Sequence, residues 1–490
     1  MTNLPAPCGA FLLAMIATCC CTADEGSRPN VLLIAIDDLN DWVGPLGGHR
    51  QVKTPHFDAL AKRGTTFTNA HCQAPLCNPS RTSFLLGLRP TTTGIYALEP
   101  SFTAVPALRD RVPLFQHFKQ NGYRVLSVGK LWHSGISPEQ RAREFSEIGP
   151  AGKMVRPQRP FVVTPSKHPL VDWGPFPDED AEHYDYQTAN WAIAKLEAPP
   201  PEPFLLAVGF SLPHVPCYAP QKYFDLYPND DTILPRVKFA DRDDVPSFAW
   251  YLHWQLPEPR LAWLQSEKQW QPLVRSYLAS VSFMDAQVGR VLAALEQSGQ
   301  QENTIVVLLG DHGWHLGEKG ISGKNTLWER STRVPLLLAG PAFTTSARCV
   351  RPVELLDLYP TLIELCGLPV RHELEGESLA ALLRDPLAPR ERGAITSHGP
   401  GNHAIRTERW RYIRYADGSQ ELYDMASDPN EWTNLASDTT HAVLCRTLAA
   451  ALPQEPAAPV VGSKSRLIEL KEGVVYWETQ AIERNAAIPE

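Results

Sequence analysis

The feature that most constrains the fold is a set of four apolar runs, each followed closely by ionisable residues. Unbroken runs of Val, Ile and Leu are typical of parallel strands that are buried on both faces of a sheet. In open α/β sheets the ligand site lies beyond the carboxyl ends of the strands, so we expect the ionisable side chains to meet at one edge. The runs and the residues after them are Val31–Ile36 with Asp37 and Asp38, Tyr123–Gly129 with Lys130 and His133, Pro203–Phe210 with His214, and Thr304–Gly310 with Asp311 and His312.

Other segments predict the rest of the architecture. Arg275–Gln297 carries its apolar residues on one helical face and is predicted to pack on the sheet. Near the C-terminus the chain changes to short alternating runs around Asp417 and Gly418, which indicate a β-hairpin. We therefore expect an α/β domain over residues 28–375, with a large mixed, mostly parallel sheet sandwiched by helices. A smaller α+β subdomain with an antiparallel sheet is expected over 376–490.

Charge and the N-terminal sequence narrow the class of protein. The 490 residues carry a formal net charge of −8, which does not favour nucleic-acid binding. Residues 1–23 are predicted to be a secretory signal peptide cleaved after Ala23; because Lys and Arg are missing before its apolar run, a disordered tail is the alternative. Cys19, Cys20 and Cys21 leave a lipoprotein anchor open. No later stretch is expected to span a bilayer, so we predict a secreted or periplasmic protein.

A short motif between the first two apolar runs, Cys77-Asn-Pro79-Ser-Arg81, is a candidate reactive site. Pro79 suits the first turn of a helix, where its missing N–H costs nothing. Cys77 is then expected just before a helix N-terminus, where backbone N–H groups favour an anion. Arg81 follows one turn later and can hold a charge at that end. A buried cysteine before an ordinary helix is the alternative interpretation.

Four segments, taken in order along the chain, resemble the signature of the type I sulfatases of the alkaline phosphatase superfamily. They are Arg28–Asp38, Cys77–Arg81, Gly129–His133 and Asp311–Glu318, with Lys324 and Arg333-Val334-Pro335 after them. The stretch from Tyr277 to Gly289 and the Asp-His-Gly-Trp form are similar to the iduronate-2-sulfatase branch. That branch has a tryptophan and an aromatic residue where this chain has Ser322 and Asn325. The resemblance therefore implies sulfate chemistry and leaves the sugar open.

The resemblance implies an alkaline phosphatase-like fold and a hydrolase of sulfated carbohydrates that depends on formylglycine. In this family a formylglycine-generating enzyme oxidises the cysteine of the motif, here Cys77, to an aldehyde whose hydrate attacks sulfur. The lysines Lys130 and Lys324, with Arg81, are expected to neutralise the sulfate. Arg81 is also expected to hold the Cys77 loop in place.

Two histidines have expected roles in proton transfer by the same resemblance. His214 or Lys324 is expected to protonate the leaving oxygen, and His133 to act as the base when sulfate is released. Each of these residues, and Lys130, could singly be an ordinary surface or loop residue. Their common position just after the predicted strands favours the functional interpretation.

The resemblance also implies a metal site. Its ligands, carried over by position, are Asp37, Asp38, Asp311 and His312, with the modified Cys77. An oxygen-rich set of this kind suits Ca²⁺ best, with Mg²⁺ less favoured. His312 is the least certain ligand by type, and a hydrogen-bond donor behind the ligands is the alternative for it.

Two other functions and one further residue stay open. A phosphonate or phosphate ester hydrolase of the same superfamily would use the same metal and lysines. A non-catalytic carbohydrate-binding relative is the second alternative. Trp314 either lines the substrate pocket or packs in the core. Residues 155–185 and 216–262 are rich in Pro and aromatic residues and are expected to shape that pocket as long ordered loops.

Overall fold

The computed structural model describes residues 1–2, 28–133, 135–201, 203–341, 343–483 and 486–487. An eight-stranded sheet lies at the centre of these residues. In spatial order its strands are Ala347–Cys349, Gly64–Phe67, Leu336–Ala339, Thr304–Gly310, Asn30–Ile36, Phe204–Phe210, Arg124–Gly129 and Glu147–Ile148. Leu336–Ala339 runs antiparallel to both neighbours, and the other neighbouring pairs are parallel. The predicted mixed, mostly parallel sheet is therefore confirmed.

The central strand Asn30–Ile36 shows why the sheet is held on both faces. Successive side chains of a strand point to opposite faces, so its alternate residues belong to two separate cores. One core contains Leu32, Ile34 and Ile36, and the other contains Val31, Leu33 and Ala35, all fully buried. Each buried Leu or Ile stabilises the fold by about 1.5–3 kcal/mol. The strand ends are consequently fixed in position.

Helices cover both faces of the sheet. Side chains of Pro55–Arg63, Tyr184–Glu197 and Trp270–Gln297 pack in the first core, and those of Cys77–Leu86, Leu114–Gln120 and Leu358–Leu365 pack in the second. The long helix Trp270–Gln297 begins earlier than the predicted Arg275. Val281, Met284 and Val288, on the face that predicted the helix, are buried, but so is every residue from 276 to 285, so this part of the helix is enclosed on all sides.

The same helix corrects the expectation that no stretch after the leader could cross a membrane. By length and composition alone, Trp270–Gln297 passes that test. However, 83% of its most apolar window is buried inside the protein, as in the core helix of a folded domain. The predicted signal peptide lies outside the described residues apart from residues 1–2.

Smaller sheets follow the central one in sequence. A four-stranded antiparallel sheet consists of Ala394–Ser397, His403–Arg406, Trp410–Arg414 and Gln420–Asp424. Helix Ala442–Ala450 packs against it. A three-stranded sheet then consists of Ile468–Lys471, Val474–Trp477 and Gln480–Ile482. The hairpin predicted around Asp417 and Gly418 is present, and Gly418 adopts the left-handed conformation with φ 85°.

The Pro-rich segments contain regular structure that the sequence does not reveal. Trp173–Pro175 pairs in parallel with Cys217–Ala219 to make a two-stranded sheet. Short helices also occur at Gln221–Phe224, Ser247–Tyr251 and Leu261–Ser266. Elements of three to six residues are too short to show a period, which is why these segments were predicted as loops.

A largely buried group of charges, here called the junction cluster, joins the four-stranded sheet to the central domain. It consists of Glu329, Arg406, Arg411 and Glu431. Nε of Arg411 lies 3.1 Å from a carboxylate oxygen of Glu329 and 3.1 Å from one of Glu431. Arg406 lies 3.3 Å from Glu329, and the backbone N–H of Glu329 donates to Glu431 at 2.9 Å. Each carboxylate in this cluster therefore has a cationic partner.

Candidate active site

The carboxyl ends of two central strands bring their acidic residues together, next to the end of a third strand. The N–H of Asp311 donates to the carbonyl of Ile36 at 3.1 Å, and the N–H of Asp38 donates to Oδ1 of Asp311 at 3.1 Å. The N–H of Asp37 donates to the carbonyl of Phe210 at 3.2 Å. Asp38 has a left-handed backbone conformation, φ 57°, which is uncommon outside glycine and concentrates at functional sites.

Cys77 lies in the first turn of helix Cys77–Leu86, not just before it as predicted. Leu76 occupies the cap position with extended backbone, and Pro79 falls in the first turn, where it was expected. The helix ends at Gly87, whose φ of 70° is the left-handed conformation of a common C-terminal cap. All ten residues of the helix are buried, so its N-terminus is held firmly at the sheet edge.

Two nitrogen atoms contact the thiol of Cys77. Nε2 of His312 and Nζ of Lys324 each lie 3.2 Å from its Sγ. Burial and the carboxylate of Asp37 would raise the pKa of this thiol. Lys324, Lys130 and His312 outweigh them and hold the pKa well below its ordinary value. The position therefore favours an anion at the Cys77 side chain.

Arg81 binds the strand ends to each other. Its Nε donates to Asp311 at 2.8 Å, and its Nη2 lies 3.4 Å from Asp37. Its Nη1 donates to the carbonyls of Lys130 at 2.5 Å and Leu131 at 3.1 Å. The side chain is completely buried. This geometry fits the expected role of Arg81 in holding the Cys77 loop in place. Its side chain does not reach the cavity described below.

Each lysine of the site pairs with one of the two adjacent aspartates. Lys130 binds Asp37, and Nζ of Lys324 donates to Asp38 at 2.7 Å. Burial would raise the pKa of Asp37, but Lys130 in particular holds it well below its ordinary value. For Asp38, burial outweighs Lys324 and raises the pKa to about 7. Of the two adjacent aspartates, Asp38 is thus the one whose buried charge is less compensated.

These residues fit a divalent cation. Asp37, Cys77, Asp311 and His312 place one ligand atom each within 4.8 Å of one another, and so do Asp37, Asp38, Cys77 and His214. Oδ2 of Asp38 is buried and accepts no hydrogen bond from any described residue. A buried carboxylate oxygen of this kind needs a positive partner, and a cation is a suitable one. The predicted ligand set therefore lies in one place, with His214 beside it.

The two histidines of this group have opposite charge preferences. Nδ1 of His214 lies 2.6 Å from the carbonyl of Val215, and Nε2 lies 4.0 Å from Oδ2 of Asp38. Burial lowers the pKa of His214 to about 3, so the ring is neutral. Burial would also lower that of His312, but Asp311 prevails and raises the pKa to about 9.

A cavity of about 490 Å³ opens on the thiol. Its walls include five of the predicted catalytic residues, namely Cys77, Lys130, His133, His214 and Lys324, together with Glu258 and Arg466. Trp314 is not on this wall and is 2% exposed; its ring lies beneath the Lys324 ammonium, 5.5 Å from it. Packing is therefore the interpretation of Trp314 that fits the structure.

Glu258 and Arg466 were not identified from the sequence. Glu258 lies in the 216–262 segment, for which a role in shaping the pocket was predicted without named contacts. Arg466 follows no apolar run and belongs to no motif, so nothing in its local sequence distinguishes it. Only the folded chain brings Arg466 to its hydrogen-bond partner Asn325, which directly follows Lys324 in the sequence.

Comparisons with known proteins agree with one another. A family profile described as "Sulfatase" matches residues 29–368, and one described as "N-sulphoglucosamine sulphohydrolase, C-terminal" matches residues 317–457. A sulfatase of Formosa agariphila is 40% identical over 472 residues, which cover 91% of this chain and 92% of that protein. Human iduronate 2-sulfatase is 32% identical over 398 residues, covering 70% of this chain and 69% of the relative.

Solved structures share the fold. A 2-O GAG sulfatase superposes with a TM-score of 0.68 at 24% identity, covering 86% of this chain and 90% of its own. The phosphonate monoester hydrolase of Agrobacterium radiobacter superposes with a TM-score of 0.70 at 21% identity, covering 92% and 100%. At these identities the likeness establishes the architecture and does not distinguish between the two reactions.

Proposed function

This chain belongs to the sulfatase family and is a sulfatase, and we propose that it removes sulfate from a sulfated carbohydrate by means of a formylglycine made from Cys77. The observation that carries the proposal is the thiol position. Cys77 contacts Lys324 and His312 at 3.2 Å and faces a cavity. A nucleophile derived from this side chain would meet its anionic substrate among cationic groups.

The substrate class is supported by the relatives and by the size of the cavity. Relatives named iduronate 2-sulfatase, ulvan-active sulfatase and Delta 4,5-hexuronate-2-O-sulfatase are 32%, 28% and 28% identical to this chain. A choline-sulfatase of Rhizobium meliloti is 30% identical, so names alone do not decide the substrate. A volume of about 490 Å³ lies in the range of small-molecule sites and suits a sugar.

In the proposed reaction, the S–O bond to the sugar breaks and one water is consumed overall, so that a sugar hydroxyl and hydrogen sulfate are released. Lys130 and Lys324 bind the sulfate oxygens and stabilise the charge that grows on them. Lys324, on the cavity wall and paired with Asp38, protonates the leaving sugar oxygen; His214, on the same wall, could do so only after gaining a proton, because burial keeps its ring neutral. His133, also on the wall, accepts a proton as sulfate leaves.

Asp37, Asp38, Asp311 and His312 would hold the divalent cation, and we propose Ca²⁺ rather than Mg²⁺ because three of the four side chains are carboxylates. When bound, this cation supplies positive charge next to the nucleophile. The orphan Oδ2 of Asp38 supports its presence. Export from the cytoplasm, and maturation by a formylglycine-generating enzyme, complete the proposal and remain predictions from the sequence.

The proposal is tested by producing the full chain together with a formylglycine-generating enzyme. The mass of the peptide that contains Cys77 should show that one sulfur and two hydrogens have been replaced by one oxygen, as oxidation of the thiol to the aldehyde requires. Sulfate release should then be measured on sulfated monosaccharides, with an aryl sulfate and a phosphonate monoester alongside. Retention of the thiol in an active enzyme would contradict the assigned nucleophile, and faster phosphonate hydrolysis would favour the second class of reaction.

A further inference from the structure

We propose that Glu258 and Arg466 form a sugar subsite that binds hydroxyl groups of an uncharged sugar unit and so determines which sulfate esters are cleaved. This inference rests on the proposed function and goes beyond it, because it assigns the recognition of the sugar to two residues. Both side chains line the cavity that contains Cys77. Neither contacts the group of acidic residues at the strand ends.

Arg466 is held in place by an unusual piece of backbone. The N–H groups of Leu98 and Glu99 donate to the carbonyls of Ser465 and Lys464 at 3.1 and 3.3 Å, which fixes this segment beside the loop after the Cys77 helix. Ser465 and Arg466 both adopt left-handed conformations, with φ 66° and 74°. Two consecutive non-glycine residues in this region are strained, and such strain concentrates at binding sites.

The guanidinium of Arg466 connects the subsite to the catalytic lysine. Its Nη1 donates to Oδ1 of Asn325 at 3.0 Å, and Asn325 directly follows Lys324 in the chain. Its Nη2 lies 3.3 Å from Oε1 of Glu258. A guanidinium carries five N–H donors, so it can bind these two partners and still donate to a ligand. A sugar that contacts Arg466 would therefore lie close to the group that binds its sulfate.

Glu258 supplies an acceptor that has no partner among the described residues. Its side chain is 3% exposed, and its Oε2 is buried without a hydrogen bond. A buried carboxylate oxygen left unpaired is costly, so its position calls for a donor from a ligand. A sugar hydroxyl can donate to Oε2 of Glu258 and accept from Arg466. This pairing of acceptor and donor is complementary to ring hydroxyl groups.

The charges in this part of the wall favour a neutral sugar. Glu258 balances Arg466, and a second carboxylate, Glu478, accepts the backbone N–H of Arg466 at 2.9 Å and also lines the cavity. A carboxylate or second sulfate on the sugar would face two carboxylates and one arginine. Trp477 adds an aromatic side chain to the same wall, as is common in ligand sites.

The test compares substrates that differ only in what Glu258 and Arg466 can contact. Initial rates are measured for 4-nitrophenyl sulfate, for galactose and glucose monosulfates, and for a glucuronic acid sulfate. Wild type should prefer the neutral sugar sulfates to the uronic acid sulfate. E258A and R466A should lower kcat/KM for the neutral sugar sulfates by about 10- to 100-fold, and lower that for 4-nitrophenyl sulfate by a smaller factor.

Two variants separate recognition from folding. E258Q keeps the shape and an acceptor oxygen but removes the charge, so it should lose less on neutral sugars than E258A and gain on the uronic acid sulfate. E99Q breaks only the exposed ion pair with Lys464 and should behave as wild type. Equal losses on the aryl and sugar sulfates, or a wild-type preference for the uronic acid sulfate, would overturn the proposal.

Binding without turnover distinguishes a failure of this subsite from a failure of the proposed reaction. Calorimetry with the galactose and glucose monosulfates should detect binding to C77A and at least tenfold weaker binding to the C77A/E258A double variant. Equal affinity in the two, or no binding to C77A, would overturn the subsite. Absence of sulfate release by wild type, with binding intact, would instead contradict the proposed function.

Discussion

The strand-end site and the junction cluster contain the same kinds of side chain, both buried, but their pairing differs. In the junction, Glu329 has two arginine partners, and Arg411 lies 3.1 Å from Glu431 as well. At the strand ends, Oδ2 of Asp38 has no hydrogen-bond donor among the described residues, and the Cys77 thiol faces a cavity. Oε1 of Glu431 in the junction also accepts no hydrogen bond from the described residues, although Nε of Arg411 lies 3.1 Å from it. What distinguishes the site is that Asp38, the acid with an unpaired oxygen, lies beside a thiol that faces a cavity.

This difference explains why burial alone does not identify a functional site. Burial would raise the pKa of Glu329, but Arg411 and Arg406 hold it well below its ordinary value, so the charged form is stabilised internally. Asp38 is fully buried and has its pKa raised to about 7, because one lysine does not compensate for desolvation. Burial also raises the pKa of Glu431 in the junction to about 7, but no reactive group lies beside it. An uncompensated acid beside a reactive group is the better indicator of chemistry.

The largest effect that separates the two regions is expected from Cys77→Ala. Removing the source of the nucleophile should lower sulfate release by at least about 10³-fold. The side chain is small and the junction is untouched, so the thermal midpoint should stay within a few degrees of wild type. Sulfate release and calorimetry on the same preparation measure both. Substantial turnover by this variant would contradict the assignment.

Arg411→Ala is the converse test, directed at stability rather than activity. It leaves two buried carboxylates without their main partner and should lower the free energy of unfolding by about 3–5 kcal/mol. The molecules of this variant that remain folded should cleave substrate at nearly the wild-type rate, because Arg411 contacts no residue of the strand-end site. Denaturant titration and rates per folded molecule provide the measurements. A loss of rate without a loss of stability would mean that the regions are not separate.

Cation binding should stabilise one region only. Free Ca²⁺ at about 100 times its dissociation constant should raise the free energy of unfolding by about 2.7 kcal/mol. Arg411→Ala should show the same increment from its lower baseline, and Asp38→Asn should show little or none. Calorimetry with Ca²⁺ and with a chelator measures this increment in the free energy of unfolding. An undiminished increment in Asp38→Asn would mean that the cation binds elsewhere.

The smallest expected effect is the acid sensitivity of the junction. The pKa of Glu329 is lowered on folding, so its stabilising contribution is present above the unfolded value near 4.5 and is lost as the pH falls towards the folded value. The difference in unfolding free energy between wild type and Glu329→Gln should therefore shrink below pH 4.5, by about 1.4 kcal/mol for each unit of pKa shift. Urea titrations of both proteins from pH 3 to 6 measure this difference in unfolding free energy. A difference that stays constant with pH would contradict the prediction.

The sequence predicted the chemistry of the strand ends better than the walls around them. Asp37, Lys130, His214 and Asp311 each follow an apolar run, so a rule about one sheet edge was enough to group them. Arg411 could not be found in this way. It lies in a short strand of a different sheet, and its partners at 329 and 431 share no pattern with it.

The limits of the sequence have a common physical cause. Short pairings such as Trp173–Pro175 with Cys217–Ala219 carry no periodicity, and contacts between distant segments have no local signature. The start of helix Cys77–Leu86 was misplaced by a small amount, because Pro79 is tolerated anywhere in the first turn. The sequence does not decide the role of Trp314, because an aromatic residue next to a site can equally line the site or support it.

The segment 464–466 crosses back to the loop at 98–99 and places Arg466 on the wall of a cavity whose reactive residue lies near the other end of the chain. Of the two residues proposed to recognise the sugar, Arg466 thus comes from a tail that recombination can exchange, whereas Glu258 lies in the chain between His214 and Asp311 of the reaction centre. Grafting the tail of another such enzyme onto this chain would replace Arg466 and leave Glu258 and the reaction centre as inherited, so we expect it to change the sugar preference in part. Diversification of the kind needed to digest many polysaccharides can begin there.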